Sequence, residues 1–246
     1  MNDDTIHALN TINRQFYAAC AADFDVTRAG AWKGWIMLLP YMQIPAEAMR
    51  VLDVGCGNGR LGAFLMKRFP VVYHGIDFSE GLLDAARRTL AAYAQVTLEA
   101  RDLIEQPPDL SEQDRYHLVC AFGLLHHVPG AARREALIKS LAEQVQPGGM
   151  LVWTEWRFHE YERFRERVIA TPADLLPEME PGDFLLDWGG SAGMSAELAR
   201  RYCHYIDDAE SERLIRASGL ELVTTYRADG HTRDCNRYVI LRRHEN

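Results

Sequence analysis

The stretch VLDVGCGNGRLG, from Val51 to Gly62, decides how the rest of the chain is interpreted. A short apolar run with an acid inside it, Asp53, leads directly into a loop crowded with glycines. Glycines at the end of a strand allow the backbone to approach a ligand closely. The functional interpretation therefore depends on which ligand this loop holds.

One candidate ligand is a dinucleotide, because Gly57, Gly59 and Gly62 satisfy the spacing G-x-G-x-x-G. The register of the loop disagrees with this interpretation. The first glycine of the fingerprint should directly follow the strand, and in this chain that glycine is Gly55. Counted from Gly55, the spacing is G-x-G-x-G, and Arg60 stands where the last glycine should be.

Charge is the second objection to a dinucleotide. A pyrophosphate is bound by helix N–H groups and is repelled by a nearby anion. Asp53 places a carboxylate at the end of the strand, below the loop. A ligand that carries an ammonium and a sulfonium would be attracted by this carboxylate, and S-adenosylmethionine is such a ligand.

Composition limits the class of protein. The 246 residues are 48% hydrophobic and 25% charged, which is typical of a globular domain with a sizeable core. The net charge of −8 gives no overall electrostatic attraction to nucleic acid. The five cysteines show no CxxC spacing, so we expect a reducing compartment and neither a metal site nor a disulfide framework. The acidic start MNDDTIHALN and the lack of a long apolar run predict a cytoplasmic protein without a membrane span.

The order of elements predicts the fold. Strand-like runs at 50–55, 71–78, 96–102, 116–123 and 149–156 alternate with helical stretches at 59–69, 79–92 and 131–146. This alternation is typical of a doubly wound α/β fold, here a mostly parallel seven-stranded sheet with helices on both faces. The last two runs, 220–228 and 236–243, predict a C-terminal antiparallel hairpin. We expect a single domain over 1–246, with an N-terminal helical cap at 5–45 and an insertion at 157–206 that contains a charged helix and acts as a lid.

VLDVGCGNG resembles motif I of the Rossmann-like S-adenosylmethionine-dependent methyltransferases, and later segments agree with that superfamily in order and spacing. The resemblance implies that Asp77, in YHGIDFS, binds both ribose hydroxyls and that Phe78 covers the adenine. It implies that Asp102, in EARDL, meets the adenine amino group, and that FGLLHHV faces the methyl group. The resemblance covers about residues 50–156 and 219–243 and implies S-adenosylmethionine as the cofactor.

The cofactor-binding residues that this resemblance implies are Asp53, Gly55, Cys56, Gly57, Gly59, Asp77, Phe78, Asp102, Leu103 and Phe122. Structural roles stay open for several of them. Asp53 can stabilise the loop, Asp77 can cap a helix, and Asp102 can lie in a surface turn. Cys56 is expected to pack inside the loop without a redox role.

The flanks at 9–35 and 201–223 resemble those of the eukaryotic tRNA wobble-uridine methyltransferases, which esterify 5-carboxymethyluridine in the anticodon loop. The matching positions are Tyr17, Thr27, Arg28, Trp32, Arg201, Tyr202 and His204. The chain departs from the family at Lys33, where the family usually has Pro, and no RNA-binding domain is appended. Enzymes of that family work with a small zinc-binding activator, so the resemblance implies such a partner.

On this hypothesis, Arg28 and Arg201 are cations near the carboxylate of the methyl acceptor, and His127 or His204 is a hydrogen-bond donor at the mouth of the site. Arg28 can equally hold the carboxylate of the cofactor. If the chain is extended at His126 and His127, at most one of the two rings can face the site. The aromatic run Trp153, Trp156, Phe158 and Tyr161 either stacks on a base or packs in the core.

Two other functions stay open. In the first, the acceptor is a small molecule that receives an O- or N-methyl group, and the lid at 157–206 covers an apolar pocket. The acidic net charge favours this alternative, because phosphate contacts dominate the affinity for RNA. In the second, the chain is a non-catalytic methyltransferase-like subunit, which the intact set of acids and glycines disfavours.

Overall fold

A computed structural model describes residues 1–27, 30–105, 115–173, 175, 178–188, 195 and 198–245. The strands are β1 (Met49–Val54), β2 (Val71–Asp77), β3 (Val96–Ala100), β4 (Tyr116–Ala121), β5 (Val145–Trp156), β6 (Val168–Ile169), β7 (Asp183–Asp187), β8 (Arg200–His204), β9 (Glu221–Ala228) and β10 (Asn236–Arg242). The helices are α1 (Asp3–Thr27), α2 (Lys33–Leu38), α3 (Arg60–Met66), α4 (Glu80–Leu90), α5 (Ala131–Glu143), α6 (Glu162–Arg165) and α7 (Asp208–Ser218).

The main sheet has seven strands in the order β3-β2-β1-β4-β5-β10-β9. Strands β1 to β5 are parallel, and β10 and β9 form an antiparallel hairpin that joins the sheet at β5. The predicted mostly parallel sheet with its C-terminal hairpin is confirmed. The chain changes direction across the sheet between β1 and β4, and ligands of open α/β sheets bind at such a point.

The core lies in two layers because both faces of the sheet are covered. Along β4, Leu118 and Cys120 belong to one layer, and Val119 and Ala121 to the other. The same alternation continues in β5 and β10. This follows from the two-residue period of a strand, and it explains why the central strands are apolar throughout.

Local signals set the ends of two helices. The Ser79 hydroxyl accepts a hydrogen bond from the Leu82 amide at the start of α4, as expected from the sequence. Asp207 caps α7 in the same way, with 2.7 Å between the Glu210 amide nitrogen and the carboxylate oxygen. Gly219 ends α7 in the left-handed conformation, with φ +65°.

The insertion at 157–206 differs from the expected charged helix. Its described part contains the short α6 and a second, antiparallel sheet in the order β6-β7-β8. Phe158, Leu186 and Cys203 form a small buried cluster in this region, and Phe164 packs against it. Phe158 and Phe164 pack in or against this cluster, and the charged stretch that contains them forms only short helical turns.

The N-terminal helix α1 packs against both β8 and α4 and so joins the second sheet to the main one. None of the helices in the described ranges is both long enough and apolar enough to cross a membrane.

Gly34 in α2 provides a test of this packing. A Cβ atom at this position would overlap the ring of the buried Tyr238, whereas a Cβ at Gly30 would meet no atom within 4 Å. Because overpacking typically costs about 1–3 kcal/mol, we expect Gly34→Ala to lower the free energy of unfolding by about 2 kcal/mol in urea denaturation. Gly30→Ala should unfold like the wild type. Equal stability of Gly34→Ala and the wild type would contradict this packing.

Candidate active site

A cavity of about 790 Å³ opens at the carboxyl ends of β1, β2 and β4. It is lined by the glycine loop after β1, by residues that follow β2 to β5, by α1, and by residues of the insertion and the hairpin. The cavity lies at the position where the order of the strands reverses, which is the usual ligand position in this class of sheet.

The glycine loop forms one wall of the cavity. Strand β1 ends at Val54, so Gly55 directly follows it, in agreement with the predicted register. Gly57 and Gly59 have φ values of +53° and +75°, which side-chain-bearing residues rarely adopt. A Cβ at Gly57 would meet nothing within 4 Å, so the backbone there faces open space next to the cavity.

Asp77 lies at the end of β2, as predicted, and lines the cavity. Its two oxygens accept hydrogen bonds from the amides of Gly57 (2.8 Å) and Ser79 (2.9 Å). Burial raises the pKa of this carboxyl, and the backbone donors oppose the shift. Because a carboxylate can accept more than two hydrogen bonds, both ribose hydroxyls could still donate to it.

Asp102 follows β3 and lines the cavity beside the buried Leu103. Its oxygens accept hydrogen bonds from the Asn10 side chain (2.8 Å), the Arg14 guanidinium (3.3 Å) and the Ile104 amide (3.0 Å). Two of these donors come from α1, so this helix covers the part of the cavity that the resemblance assigns to adenine. The sequence did not reveal Asn10, because nothing in the local pattern of α1 indicates which of its faces meets a ligand.

Phe78 lines the same part of the cavity, and its ring meets the ring of Tyr17 edge to face, with centroids 5.7 Å apart. Phe122 lies after β4 and also lines the cavity, where it packs against Trp35 and Tyr238. Both residues line the cavity, and their contact with the cofactor stays a prediction.

Asp53 is buried and lines the floor of the cavity. Burial raises its pKa to about 7, with a further contribution from Asp77, while the Tyr73 hydroxyl (2.5 Å) and Arg60 oppose the shift. The hydrogen bond from Tyr73 shows that Asp53 also stabilises the sheet. Cys56 is buried and directs its thiol to the Gly57 carbonyl, and burial raises its pKa, in keeping with a packing role.

The wall of the cavity also contains a cation among aromatic rings. The Arg201 guanidinium lies 4.9 Å from the ring centroid of Trp156, 5.2 Å from that of Trp188 and 5.7 Å from that of Phe16. Arg201 is 8% exposed, and its Nε has no hydrogen-bond partner among the described residues. A buried charged group without a hydrogen-bonding anion is costly, so this site is suited to an anionic ligand.

Two more arginines of the insertion, Arg163 and Arg167, also line the cavity. Arg163 lies over the Phe164 ring at 4.7 Å, and its Nε is buried without a hydrogen-bond partner in the described part of the chain. Arg167 donates to the Trp188 carbonyl at 3.1 Å. These two arginines and Trp188 were missed at the sequence level, because the insertion brings them to the cavity only through its second sheet. The lining of the cavity thus combines the acids at the strand ends with these arginines and aromatic rings.

The two adjacent histidines do not lie on an extended chain. Residues Leu125–His127 form a 3-10 turn, so both His126 and His127 line the cavity. His127 Nδ1 lies 2.9 Å from the Tyr202 carbonyl, so this nitrogen donates. In the neutral ring, Nε2 then accepts a hydrogen bond from the Tyr17 hydroxyl at 2.9 Å. The segment is not extended, so the condition under which only one ring could face the site is not met. His127 donates its ring N–H to the backbone of β8 rather than to the mouth of the cavity.

His204 is not among the residues that line the cavity. It is 1% exposed, and its ring nitrogens lie 2.7 Å from Asp183 and 2.6 Å from Glu210. The predicted role at the mouth of the site is therefore wrong for this residue. Its neighbour Tyr202 is also buried, and its hydroxyl donates to Asp183 at 2.7 Å.

The remaining predicted residues are placed as follows. Arg28 lies outside the described residues, as does the side chain of Thr27. Trp32 lines the cavity and stacks on Trp35. Of the aromatic run considered for base stacking, Trp156 lines the cavity, whereas Trp153, Phe158 and Tyr161 do not.

The acids at three successive strand ends, the open backbone at Gly57 and the apolar Phe78 and Leu103 fit a positively charged adenosyl ligand. Carboxylates can accept hydrogen bonds from an ammonium, a ribose and an adenine amino group, whereas they repel a pyrophosphate.

Comparison with known proteins agrees with this assignment. Residues 52–151 match the protein family described as a methyltransferase domain. A ubiquinone biosynthesis O-methyltransferase of Leptothrix cholodnii is 26% identical over 176 residues, which are 72% of this chain and 66% of that enzyme. One of Coxiella burnetii is 33% identical over 113 residues, 46% of this chain and 45% of that enzyme. The chain thus spans about two thirds of the first relative and less than half of the second.

Solved structures share the fold. The CcbJ methyltransferase of Streptomyces caelestis has a TM-score of 0.64 at 20% identity and covers 96% of this chain and 99% of its own. The 1,6-didemethyltoxoflavin-N1-methyltransferase of Burkholderia thailandensis, solved with 1,6-didemethyltoxoflavin and S-adenosylhomocysteine, has a TM-score of 0.66 at 15% identity. That superposition covers 98% of this chain and 91% of the other.

The raised pKa of Asp53 leads us to expect that cofactor binding depends on pH. With a pKa of about 7, its carboxyl is largely neutral in mildly acidic solution and ionised above neutrality. An ammonium is attracted only by the ionised form, so we expect the affinity for S-adenosylmethionine to rise between about pH 6 and about pH 8. Calorimetry across this range measures the rise. In Asp53→Asn the affinity should be lower and independent of pH, and an unchanged rise in this variant would exclude Asp53 as its cause.

Asp77 is the second test of the cofactor site. We expect Asp77→Ala to weaken the binding of S-adenosylmethionine by more than about tenfold, because the loss removes charge-assisted hydrogen bonds worth about 1.5–3 kcal/mol each. Calorimetry measures the affinity, and a melting curve checks that the variant folds. Asp84→Ala, an exposed acid on α4, is the matched control and should bind as the wild type does. Wild-type affinity in a folded Asp77→Ala protein would contradict the assignment.

Proposed function

We propose that this chain, which contains a class I S-adenosylmethionine-dependent methyltransferase domain, transfers a methyl group to an oxygen of a small, flat, anionic molecule. The chain is an enzyme, and its cofactor is S-adenosylmethionine. The observation that carries the proposed acceptor is the buried Arg201 guanidinium between Trp156 and Trp188 in the wall of the cavity.

The chemistry of these side chains favours one class of acceptor. Two indole rings favour a planar molecule, and a guanidinium that meets no carboxylate among the described residues favours an anion. An amine acceptor that is protonated in solution would be repelled by Arg201, Arg163 and Arg167, which all line the cavity. An acidic oxygen nucleophile is attracted by the same residues, and the two curated relatives named above are O-methyltransferases.

The size of the cavity supports a small acceptor. About 790 Å³ lies within the range of about 300–1,000 Å³ that is typical of sites for small molecules and cofactors. Because α1 and the second sheet both contribute to its walls, the cavity contacts a small ligand from several sides.

Methyl transfer requires alignment more than acid–base chemistry. The cofactor, when bound, supplies an electrophilic methyl group on a sulfonium. Asp77 and Asp102 would hold the ribose and the adenine, and Asp53 the ammonium. Arg201 would hold the anionic group of the acceptor while Trp156 and Trp188 orient its plane. Bringing two reactants into line in this way supplies a large part of the acceleration.

A second candidate function is the esterification of 5-carboxymethyluridine in tRNA. The observation that favours it is again the Arg201 guanidinium between the rings of Trp156 and Trp188, because this nucleoside carries a carboxylate on a flat ring. Arg201 is also one of the positions matched in the wobble-uridine family. The net charge of −8 disfavours it. Nucleoside mass spectrometry of tRNA from cells with and without the gene tests it, and equal levels of the wobble ester would exclude it. The activator subunit stays a prediction of the same resemblance.

Arg201→Gln tests the proposed acceptor. We expect the wild type to methylate aromatic carboxylic acids, which mass spectrometry with benzoate and hydroxybenzoates detects. In Arg201→Gln, the KM for the acceptor should rise on the order of a hundredfold, because a buried charge partner is worth about 2–5 kcal/mol. Arg216→Gln, which alters an exposed arginine of α7, should leave KM unchanged. The affinity for S-adenosylmethionine should be unchanged in both variants. Methylation of uncharged molecules alone would contradict the proposal.

A further inference from the structure

Strand β8 presents two functional faces. Arg201 extends from one face into the cavity, and Tyr202 and His204 belong to the opposite face and do not line the cavity. Both backbone polar groups of Tyr202 have side-chain partners, since its amide donates to Asn13 (2.9 Å) and its carbonyl accepts from His127 (2.9 Å). The position of Arg201 therefore depends on what holds the far face of its strand.

On this far face of β8, His204 contacts a buried network of charged side chains. His204 bridges Asp183 of β7 and Glu210 of α7, and Glu210 accepts a hydrogen bond from Arg134 of α5 at 2.6 Å. Arg134 is 1% exposed and also donates to Glu180 at 2.9 Å. One network thus connects the second sheet to two helices of the main domain.

The two short contacts of His204 require a charged ring. A neutral imidazole has one N–H and one lone pair, so it can donate to only one of two ionised carboxylates. In the structure both ring nitrogens lie within 2.7 Å of a carboxylate oxygen, one on Asp183 and one on Glu210. Both nitrogens donate when the ring carries an extra proton, and then neither lone pair faces an anion.

The charge balance of the network gives the same answer. The groups that face His204 are the carboxylates of Asp183 and Glu210, with Arg134 and Glu180 behind them. Three carboxylates and one guanidinium leave an excess of negative charge, which an imidazolium reduces and a neutral ring does not. Removing the charge from one member of a buried pair is strongly destabilising, because the partner then stays buried and unpaired.

We infer that the His204 imidazolium is a positioning group for Arg201: it holds β8 against β7 and α7, and the acceptor end of the cavity loses its order when this ring gives up its proton. The inference rests on the proposed function only in its claim that Arg201 meets the acceptor. It assigns His204 to the anchoring of the strand, whereas the sequence had placed it at the mouth of the site.

The direction of the pH dependence follows from linkage. Burial alone would lower the pKa of His204, but the hydrogen bonds with Asp183 and Glu210 outweigh this effect and raise it above the ordinary value of 6.5. A group whose pKa is higher in the folded state stabilises that state fully below the ordinary pKa. The stabilisation declines as the pH rises from about 6.5 and is lost above the folded-state pKa. The order of β8 should therefore be lost in alkaline solution.

Hydrogen exchange of the full chain, followed by mass spectrometry and corrected for the intrinsic effect of pH, measures this loss. In the wild type, we expect the protection of the amides of β7 and β8 to fall by up to about tenfold per pH unit above about pH 6.5, and then to level off. Amides of β1 and β4 should show no such fall. Level protection of β7 and β8 over this range in the wild type would overturn the inference without the use of any variant.

His204→Gln and His244→Gln form a matched pair. The first removes the imidazolium, so β7 and β8 should be poorly protected in mildly acidic solution already and show no further fall with pH. The second alters an exposed histidine, 73% accessible, that pairs with Glu221, and it should keep the wild-type profile. A fall with pH that persists in His204→Gln would assign the titration to another group and overturn the inference.

Binding of benzoate as an anionic probe separates this inference from the proposed function. We expect the benzoate affinity of the protein saturated with S-adenosylhomocysteine to fall over the same pH range as the protection of β8, and to be low at every pH in His204→Gln. Failure of benzoate and hydroxybenzoates to bind, together with the expected exchange profile, would reject the proposed acceptor and leave the role of His204 in place. Normal benzoate affinity in His204→Gln would reject the positioning role.

Discussion

The hydrogen bond from the Gly57 amide to Asp77 is the contact on which the cofactor site depends. It joins the loop after β1 to the end of β2 and so holds the backbone of the loop beside the Asp77 carboxylate, which can accept hydrogen bonds from ribose hydroxyls. The loop can make this contact because glycines accept the left-handed conformation there. Because burial raises the pKa of Asp77, the hydrogen bonds from backbone amides favour its ionised form.

The lining of the cavity combines charges of both signs. Carboxylates follow β1, β2 and β3, with Arg60 and Arg101 near them, and Arg163, Arg167 and Arg201 lie among the aromatic rings of the insertion and β8. A cationic donor is attracted by the carboxylates, and the proposed anionic acceptor by Arg201. Electrostatic attraction inside a partly desolvated cavity is stronger than in water, so both sets of charges can contribute to binding.

Helix α1 contacts both Asp102 and strand β8, which carries Arg201. Asn10 contacts Asp102 on the cofactor side, and Asn13, one turn further, holds the backbone of β8 next to Arg201. Tyr17 continues the same face of the helix and reaches both Phe78 and His127. Residues three and four apart share one face of a helix, so a single stripe of α1 forms part of both binding regions.

The sequence by itself determined the main sheet, the glycine loop and the acids at the strand ends. These features depend on short-range patterns: two-residue or helical periodicity, glycine spacing and the position of a carboxylate after a strand. Asp53 was found from its charge and its place below the glycine loop, and Asp77, Asp102 and Phe78 from the resemblance to methyltransferase motifs; all four line the cavity. The parallel arrangement brings the ends of separate strands together at one edge, so position along the chain translates directly into position in space.

Only the tertiary structure decided the acceptor side. Arg163, Arg167 and Trp188 reach the cavity through the second sheet, whose pairing joins residues far apart in the chain. Arg201 and His204 are three positions apart in the same strand, yet one meets the cavity and the other a buried network of charges. Alternation along a strand shows that the two faces differ, but packing against β7, α7 and α1 decides which face meets a ligand. That choice depends on long-range contacts, which local periodicity does not contain.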